Sequence, residues 1–224
     1  AEFMNPIVHM FEPSCNPLAV PVSDRETAHH QPDRSAPQYA PGMRRVAVIG
    51  SSGVGKSTLA TVLAARLGVP VIELDALMHG PDWTPTPTPE FRANVTAAMA
   101  EADKSDGGWV VPGNYRTVAD LTQRSADTIV WLDLPRRVTM WRLLKRSVRR
   151  SVTREEVWGG NRESLVNLVS RDPNRNVLLW SWQNHPQYRQ VYEGYAAGEF
   201  WSQATVHRLR TRSDVVEFRD SVSG

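Results

Sequence analysis

Residues 50 to 58 read Gly50-Ser51-Ser52-Gly53-Val54-Gly55-Lys56-Ser57-Thr58, which satisfies the spacing G-x-x-x-x-G-K-[ST] of a phosphate-binding loop. The chemistry open to such a segment is the holding of a polyphosphate. Successive backbone N–H groups of a glycine-rich turn point at one spot, and the first turn of a following helix adds partial positive charge there. Lys56 is then placed to bridge the β- and γ-phosphates of ATP or another nucleoside triphosphate, while the Ser57 hydroxyl ligates Mg²⁺. Of 26 Lys and Arg residues only Lys56, Lys104 and Lys145 are lysines. A lysine at this position is therefore not a by-product of composition.

Further polar candidates follow the ends of apolar runs. Asp75 closes one such run, with His79 and Trp83 shortly after it; Asn114, Tyr115 and Arg116 follow a second; Asp133 closes a third. A carboxylate in such a place holds Mg²⁺ through water or accepts a proton from an attacking hydroxyl. Asp75 alone also suits a turn or helix cap, and Asp133 a turn or N-cap ahead of Pro135. His79 reads as a substrate-side or structural group, because no second His or Cys lies at ligand spacing. Trp83 either stacks on a flat substrate or covers the core.

Pro135 to Arg154 contains Arg136, Arg137, Arg142, Lys145, Arg146, Arg149, Arg150 and Arg154, and no acid. On a helix, 142, 146, 149 and 150 fall near one face. Such a face repels itself unless a polyanion neutralises it. A triphosphate in transit, with Arg146 and Arg150 acting on its charge, is one such partner. Nucleic-acid backbone along 136–154 is the other, and a solvated basic face is the plain alternative for any single arginine.

The elements that must position these groups alternate. Val46-Ala47-Val48-Ile49 reads as a buried strand leading into the loop, and Lys56 to Leu67 as a helix ended by Gly68. A second strand is expected over 70–74, a helix over about 90–102, a third strand over 108–112 and a fourth over 128–132. A long basic helix, two or three further helices to about 197, a strand over 204–209 and an end helix complete the order. Alternating strands and helices predict a parallel sheet with helices on both faces, and ligands beyond the strands' carboxyl ends.

The 224 residues, 41% hydrophobic, suffice for one domain plus extras. No apolar run reaches the length of a membrane span, there is no clear signal peptide, and the lone Cys15 fits a reducing cytosol. Residues 1–42 hold seven of the 16 prolines, five acids and two bases, a net of −3 that leaves +5 on the rest of a chain at +2. That segment reads as a disordered or partner-dependent arm ahead of a domain over 43–224. Ala1-Glu2-Phe3 ahead of Met4 reads as a cloning remnant, and Met43 as an alternative start.

Gly50–Thr58, Glu73-Leu-Asp-Ala-Leu-Met-His-Gly-Pro-Asp-Trp83, Trp109-Val-Val-Pro-Gly-Asn-Tyr115 and Arg124-Ser-Ala-Asp-Thr-Ile-Val-Trp-Leu-Asp-Leu-Pro135 together resemble the adenylate-kinase-like P-loop kinases. The likeness is strongest to the bacterial FlaR-type branch (DNA topology modulation proteins), over about residues 44 to 220. Trp158-Gly-Gly-Asn-Arg-Glu-Ser164 is similar to a lid signature in actinobacterial members. The resemblance implies a P-loop NTPase fold of the α/β class: a nucleoside-monophosphate-kinase-like three-layer sandwich with a five-stranded parallel sheet and a helical lid, here about 136–176. It implies Arg142 for the adenine face of the donor and Arg146 for its phosphates, after Asp133-Leu-Pro135. Asp75 and Gly113-Asn-Tyr-Arg116 would line the acceptor pocket. One departure stands out: relatives carry an acid immediately before the glycine of the third-strand turn, where this chain has Pro112. Metal and base duties then fall to Asp75 and Asp133 beside Ser57.

The expected function is an ATP–Mg²⁺-dependent phosphotransferase acting on a small-molecule hydroxyl or phosphate. A nucleotide-gated nucleic-acid binder and a bare NTPase are the competing readings.

Overall fold

Along the first strand, successive side chains serve two different cores. The computed structural model describes residues 42–162, 168–172 and 176–222. In it, β1 (Arg45–Gly50) sends Ala47 and Ile49 to one side and Val46 and Val48 to the other, as a two-residue period requires of a strand buried on both faces. β1 pairs in parallel with β2 (Trp109–Pro112) and β3 (Thr128–Leu132), and β3 with β4 (Thr205–Leu209), giving the order β2-β1-β3-β4. Fully buried strand residues such as Val46, Val48, Ile49 and Ile129 each contribute about 1.5–3 kcal/mol by leaving water.

The helices are α1 (Lys56–Leu67), α2 (Leu74–Met78), α3 (Thr88–Ser105), α4 (Ala119–Thr122), α5 (Arg136–Thr153), α6 (Val177–Ala197) and α7 (Arg212–Ser221). Helices α3 and α6 fill one side with Phe91, Val95, Trp180, Tyr188 and Tyr192. On the other, α1 and α7 supply Leu59, Leu63 and Phe218. The architecture is therefore α/β in the expected three layers, and among the described residues the sheet has four strands where five were expected. The segment expected as a strand over 70–74 makes an isolated parallel bridge from Val71 to Val110, closed by two backbone bonds, and turns into α2 at Leu74. Pro70 brings no N–H to a ladder, and Leu74-Asp-Ala-Leu-Met is composed of residues that tolerate a helix.

In the stretch to about 197, where two or three helices were expected and part of which lies outside the described residues, α6 runs 21 residues through Pro186. Proline cannot donate to the carbonyl of Trp182, one turn earlier. Arg136 of α5 donates to that carbonyl instead and lays its guanidinium over the Trp182 ring at 3.3 Å. Asn176 caps the helix, its side chain accepting from the N–H groups of Leu178 and Leu179. No helix among the described residues is long and apolar enough to cross a membrane. The arm over 1–41, with Cys15, lies outside the described residues, as do 163–167 and 173–175 of the expected lid.

His207 of β4 packs against Phe218, ring centroids 5.0 Å apart, and burial lowers its affinity for a proton below the usual 6.5. The unfolded chain therefore takes up this proton first. The associated stability is complete above the unfolded value and is lost as pH falls through it toward the folded value. Melting temperature should fall between about pH 7 and about pH 5, and a His207→Gln chain should show a shallower slope over the same window.

Candidate functional site

Between β1 and α1 the chain makes the anticipated loop. Gly53 stands at φ +80°, and a Cβ there would come within 2.7 Å of Leu143 Cβ, so α5 lies directly on the loop. Gly55 is the left-handed N-cap of α1, an arrangement that leaves the first N–H groups of the helix without intrahelical partners and free to face an anion. Lys56 folds over this turn, its Nζ donating to the carbonyls of Gly50 at 2.9 Å and Ser51 at 3.1 Å. Burial lowers its pKa to about 8; Asp75 and Glu73 oppose that shift and Arg146 adds to it. A polyphosphate arriving here restores the favoured ammonium form, since an opposite charge stabilises the charged state. The cradle, its lysine and the helix terminus thus fit a nucleotide's phosphates. Ser51, Ser52, Val54 and Thr58 contribute as parts of this turn; Val54 is also buried in the core.

Helix α5 delivers its arginines unequally. Arg142 donates from Nη1 to the carbonyl of Val54 at 2.8 Å and lies beside Gly55. Arg146 is close enough to Lys56 to repel its proton. Arg149 and Arg150 instead pair with Glu155, at 3.0 and 3.9 Å. The basic cluster read from sequence as one face is therefore divided: two members turn to the P-loop, and two tie down the segment after α5. The outward side of this helix mixes the exposed apolar Trp141, Val148 and Val152 with the exposed Lys145, whose ammonium lies 4.8 Å over the Trp141 ring.

The acidic side of the site holds a residue that sequence reasoning passed over. Glu73 Oε2 lies 3.5 Å from Ser57 Oγ. Burial first, and Asp75 second, raise its carboxyl above the ordinary range. A hydroxyl and a carboxylate at this separation fit a hydrated Mg²⁺, which keeps several waters and takes phosphate oxygens rather than a cage of protein ligands. Glu73 stands at the extended N-cap position of α2, two residues before Asp75, and its sequence signal was an acid this close to an expected site carboxylate.

Asp75 sits in the first turn of α2, not at a strand end, and Tyr115 Oη donates to its Oδ1 at 2.7 Å. His79 Nε2 lies 3.1 Å from the same phenolic oxygen. The Tyr115 hydrogen is committed to Asp75, so the imidazole is the donor in that second bond. His79 and Tyr115 are 5% and 2% exposed, and burial raises the Tyr115 pKa well above 10. Tyr115, expected to line the acceptor pocket, and His79, expected as a substrate-side or structural group, are both buried behind Asp75 and orient it. Asn114 is likewise buried, near the hydroxyls of Tyr188 and Tyr192, whereas Arg116 is exposed. Trp83 stands partly exposed on the loop after α2, edge-on to His79 at 5.7 Å.

Asp133 is not brought to this group. Its Oδ2 accepts from Arg189 at 2.8 Å and Arg208 at 2.7 Å, and Arg208 stacks on Trp131 at 3.9 Å. Two guanidiniums on a buried carboxylate make an internal ion pair, which leaves the expected magnesium role without support. Pro112 pairs with Val48 as the last residue of β2, leaving no acid at that turn.

No protein-family model matches the chain, and no curated protein matches it. Among solved structures, the chain is similar to a shikimate kinase from Acinetobacter baumannii in complex with shikimate, at 15% identity and TM-score 0.45, over 81% of this chain and 91% of that one. It is similar to a gluconokinase from Sinorhizobium meliloti 1021, at 15% identity and TM-score 0.44, over 81% and 90%. A shikimate kinase from Bacteroides thetaiotaomicron gives 18%, TM-score 0.42, 80% and 94%. Likeness this distant carries no conclusion about the reaction.

Proposed function

We propose that this chain is an ATP–Mg²⁺-dependent phosphotransferase whose acceptor is the hydroxyl of a small molecule. The observation behind this reading is the set of charges around Lys56: Arg142 on the Val54 carbonyl and Arg146 near the ammonium, with Glu73 against Ser57 and Asp75 held by Tyr115. The cations suit a triphosphate. Beside the two carboxylates an acceptor phosphate would be repelled, whereas an alcohol finds in Asp75 a carboxylate already oriented by Tyr115. The γ-phosphoryl group passes through a transition state that is mostly stabilised by position and charge. Lys56 and Arg146 bear on that charge, and Arg142 holds α5 against the loop. As the acceptor oxygen bonds to the γ-phosphorus, the bond from that phosphorus to the β–γ bridging oxygen breaks, ADP leaves, and Asp75 Oδ2 takes the acceptor proton. Ser57 and Glu73 would hold Mg²⁺, which when bound neutralises phosphate charge.

Glu73→Gln keeps the side chain's size and removes its charge. The magnesium concentration for half-maximal turnover should then rise about tenfold or more, with no comparable change for Asp133→Asn. An unchanged magnesium titration in Glu73→Gln removes Glu73 from the metal site.

The acceptor class is tested by transfer of labelled γ-phosphate to a panel of polyols, sugars, hydroxy acids, nucleosides and nucleoside monophosphates. Labelled product is expected with a hydroxyl compound and none with the monophosphates. Transfer to a monophosphate's phosphate group, or phosphate release indifferent to every acceptor, overturns the reading. The FlaR-type likeness is kept as a proposal of kinship and gives no acceptor.

A further inference from the structure

Trp83 and Asn161, 78 residues apart in sequence, meet beside the acceptor side of the site. The Asn161 amide is 6% exposed and fully engaged. Its Oδ1 accepts from the Trp83 N–H at 2.9 Å; its Nδ2 donates to the carbonyls of Gly80 at 2.9 Å and Trp158 at 2.6 Å. Gly159 stands at φ +68°, and a Cβ there would lie 2.8 Å from both the carbonyl carbon and oxygen of Gly80. The turn carrying these residues is closed by the Glu156–Arg162 bridge and by a bond from Val157 N–H to the Asn161 carbonyl.

The partner loop is strained. Asp82 and Trp83 both have positive φ, 54° and 57°, and a bulky side chain rarely adopts that conformation. The loop's neck is closed by Gly80 N–H to Thr84 O and by the His79–Pro85 bridge. Between neck and tip, Asn161 supplies the side-chain bond that holds the Trp83 amide in its left-handed state.

The clasp sits between the two halves of the site. On one side the path runs from Trp83 to His79, Tyr115 and Asp75 through ring contact and hydrogen bonds. On the other, α5 ends in the left-handed cap Arg154, and Glu155 binds back to Arg149 and Arg150, two turns beyond Arg142 on the P-loop. We propose that Asn161 is a positioning residue that couples nucleotide binding at the P-loop to the conformation of the loop His79–Trp83. This rests on the phosphotransferase reading above. A phosphate that draws Arg142 and Arg146 inward moves α5 and the turn after it. Asn161 then transmits that displacement to the strained tip and so to the orientation of Asp75.

Backbone hydrogen exchange over residues 79–87, measured with and without Mg·ATP, tests the coupling, and calorimetry on the same samples reports nucleotide binding. In the wild-type chain Mg·ATP should slow exchange at Gly80–Thr84 by about fivefold or more, the lower end of ordinary coupling between sites. In Asn161→Ala the slowing should vanish while ATP affinity stays close to wild type. Gly159→Ala, which pushes the two loops apart without touching the amide, should do the same and serves if Asn161→Ala does not fold. A merely structural clasp would change the resting exchange rate and leave the ATP response in place. That outcome, or a wild-type loop unmoved by ATP that calorimetry shows to be bound, overturns the proposal. A wild-type chain giving no heat with ATP removes the nucleotide reading itself, and the coupling with it.

Discussion

Lys56→Ala is expected to lower phosphoryl transfer by roughly 10³-fold or more, beyond the 10²–10³ typical of one neutral oxyanion donor, because a full charge is lost. The lysine is held over the loop by the Gly50 and Ser51 carbonyls, so it is in place before any nucleotide arrives. Its ammonium is partly starved of solvent, and a phosphate is the group that best compensates it. The variant should fold normally, since removing a desolvated cation relieves a cost of burial. Equal melting temperatures alongside lost turnover separate a chemical role from a structural one. Transfer near the wild-type rate in Lys56→Ala would leave the loop without a catalytic function.

The second large effect is expected at Asp75. Asp75→Asn retains an oxygen for the Tyr115 hydroxyl, so the local geometry survives while the proton acceptor is gone. General-base removal costs about 10²–10⁴-fold, and the loss should fall on kcat with KM for the acceptor little changed. Tyr115→Phe makes the complementary case: the base remains but its orienting bond is lost, and a smaller drop is expected. A kcat in Asp75→Asn within a small factor of wild type would mean that the acceptor arrives already ionised, as a phosphate does, and the hydroxyl assignment would give way.

What the residues revealed by themselves followed from local rules. The loop Gly50–Thr58, the four strands of the sheet and the amphipathic or basic helices are written in spacing and periodicity, and they formed where spacing placed them. The segment 70–74 misled because Val71 and Ile72 have strand composition, yet a single bridge, Val71 to Val110, forms before Leu74 starts a helix. Pro186 stands inside α6, where the carbonyl it cannot serve is met by Arg136, fifty residues earlier in the chain, which no local pattern could show. The same holds for Asp133, whose partners Arg189 and Arg208 lie on α6 and β4. Its position after a strand is that of a metal ligand, but long-range pairing decides its role. His79 and Tyr115 were recognised as belonging with Asp75, and only their burial shows that they support it instead of meeting substrate. Glu73 stands two places before Asp75 at the start of the same short helix, so its place in the site was legible from its neighbour.

The Pro112 departure has a physical consequence within this arrangement. With no acid at the turn after β2, the negative charge of the site is concentrated in Glu73 and Asp75, both on the segment between Ile72 and Met78. Metal holding and proton acceptance then depend on one short stretch of chain, whose far end is the loop clasped by Asn161.

The most direct measurement is calorimetric titration of the wild-type chain and of Lys56→Ala with ATP in the presence and absence of magnesium. Wild type should bind one ATP per chain, more tightly with magnesium than without, and Lys56→Ala should bind far more weakly. Absence of heat from the wild-type chain at millimolar ATP and magnesium, or indistinguishable binding by the two proteins, would contradict the assignment of Gly50–Thr58 as a triphosphate site.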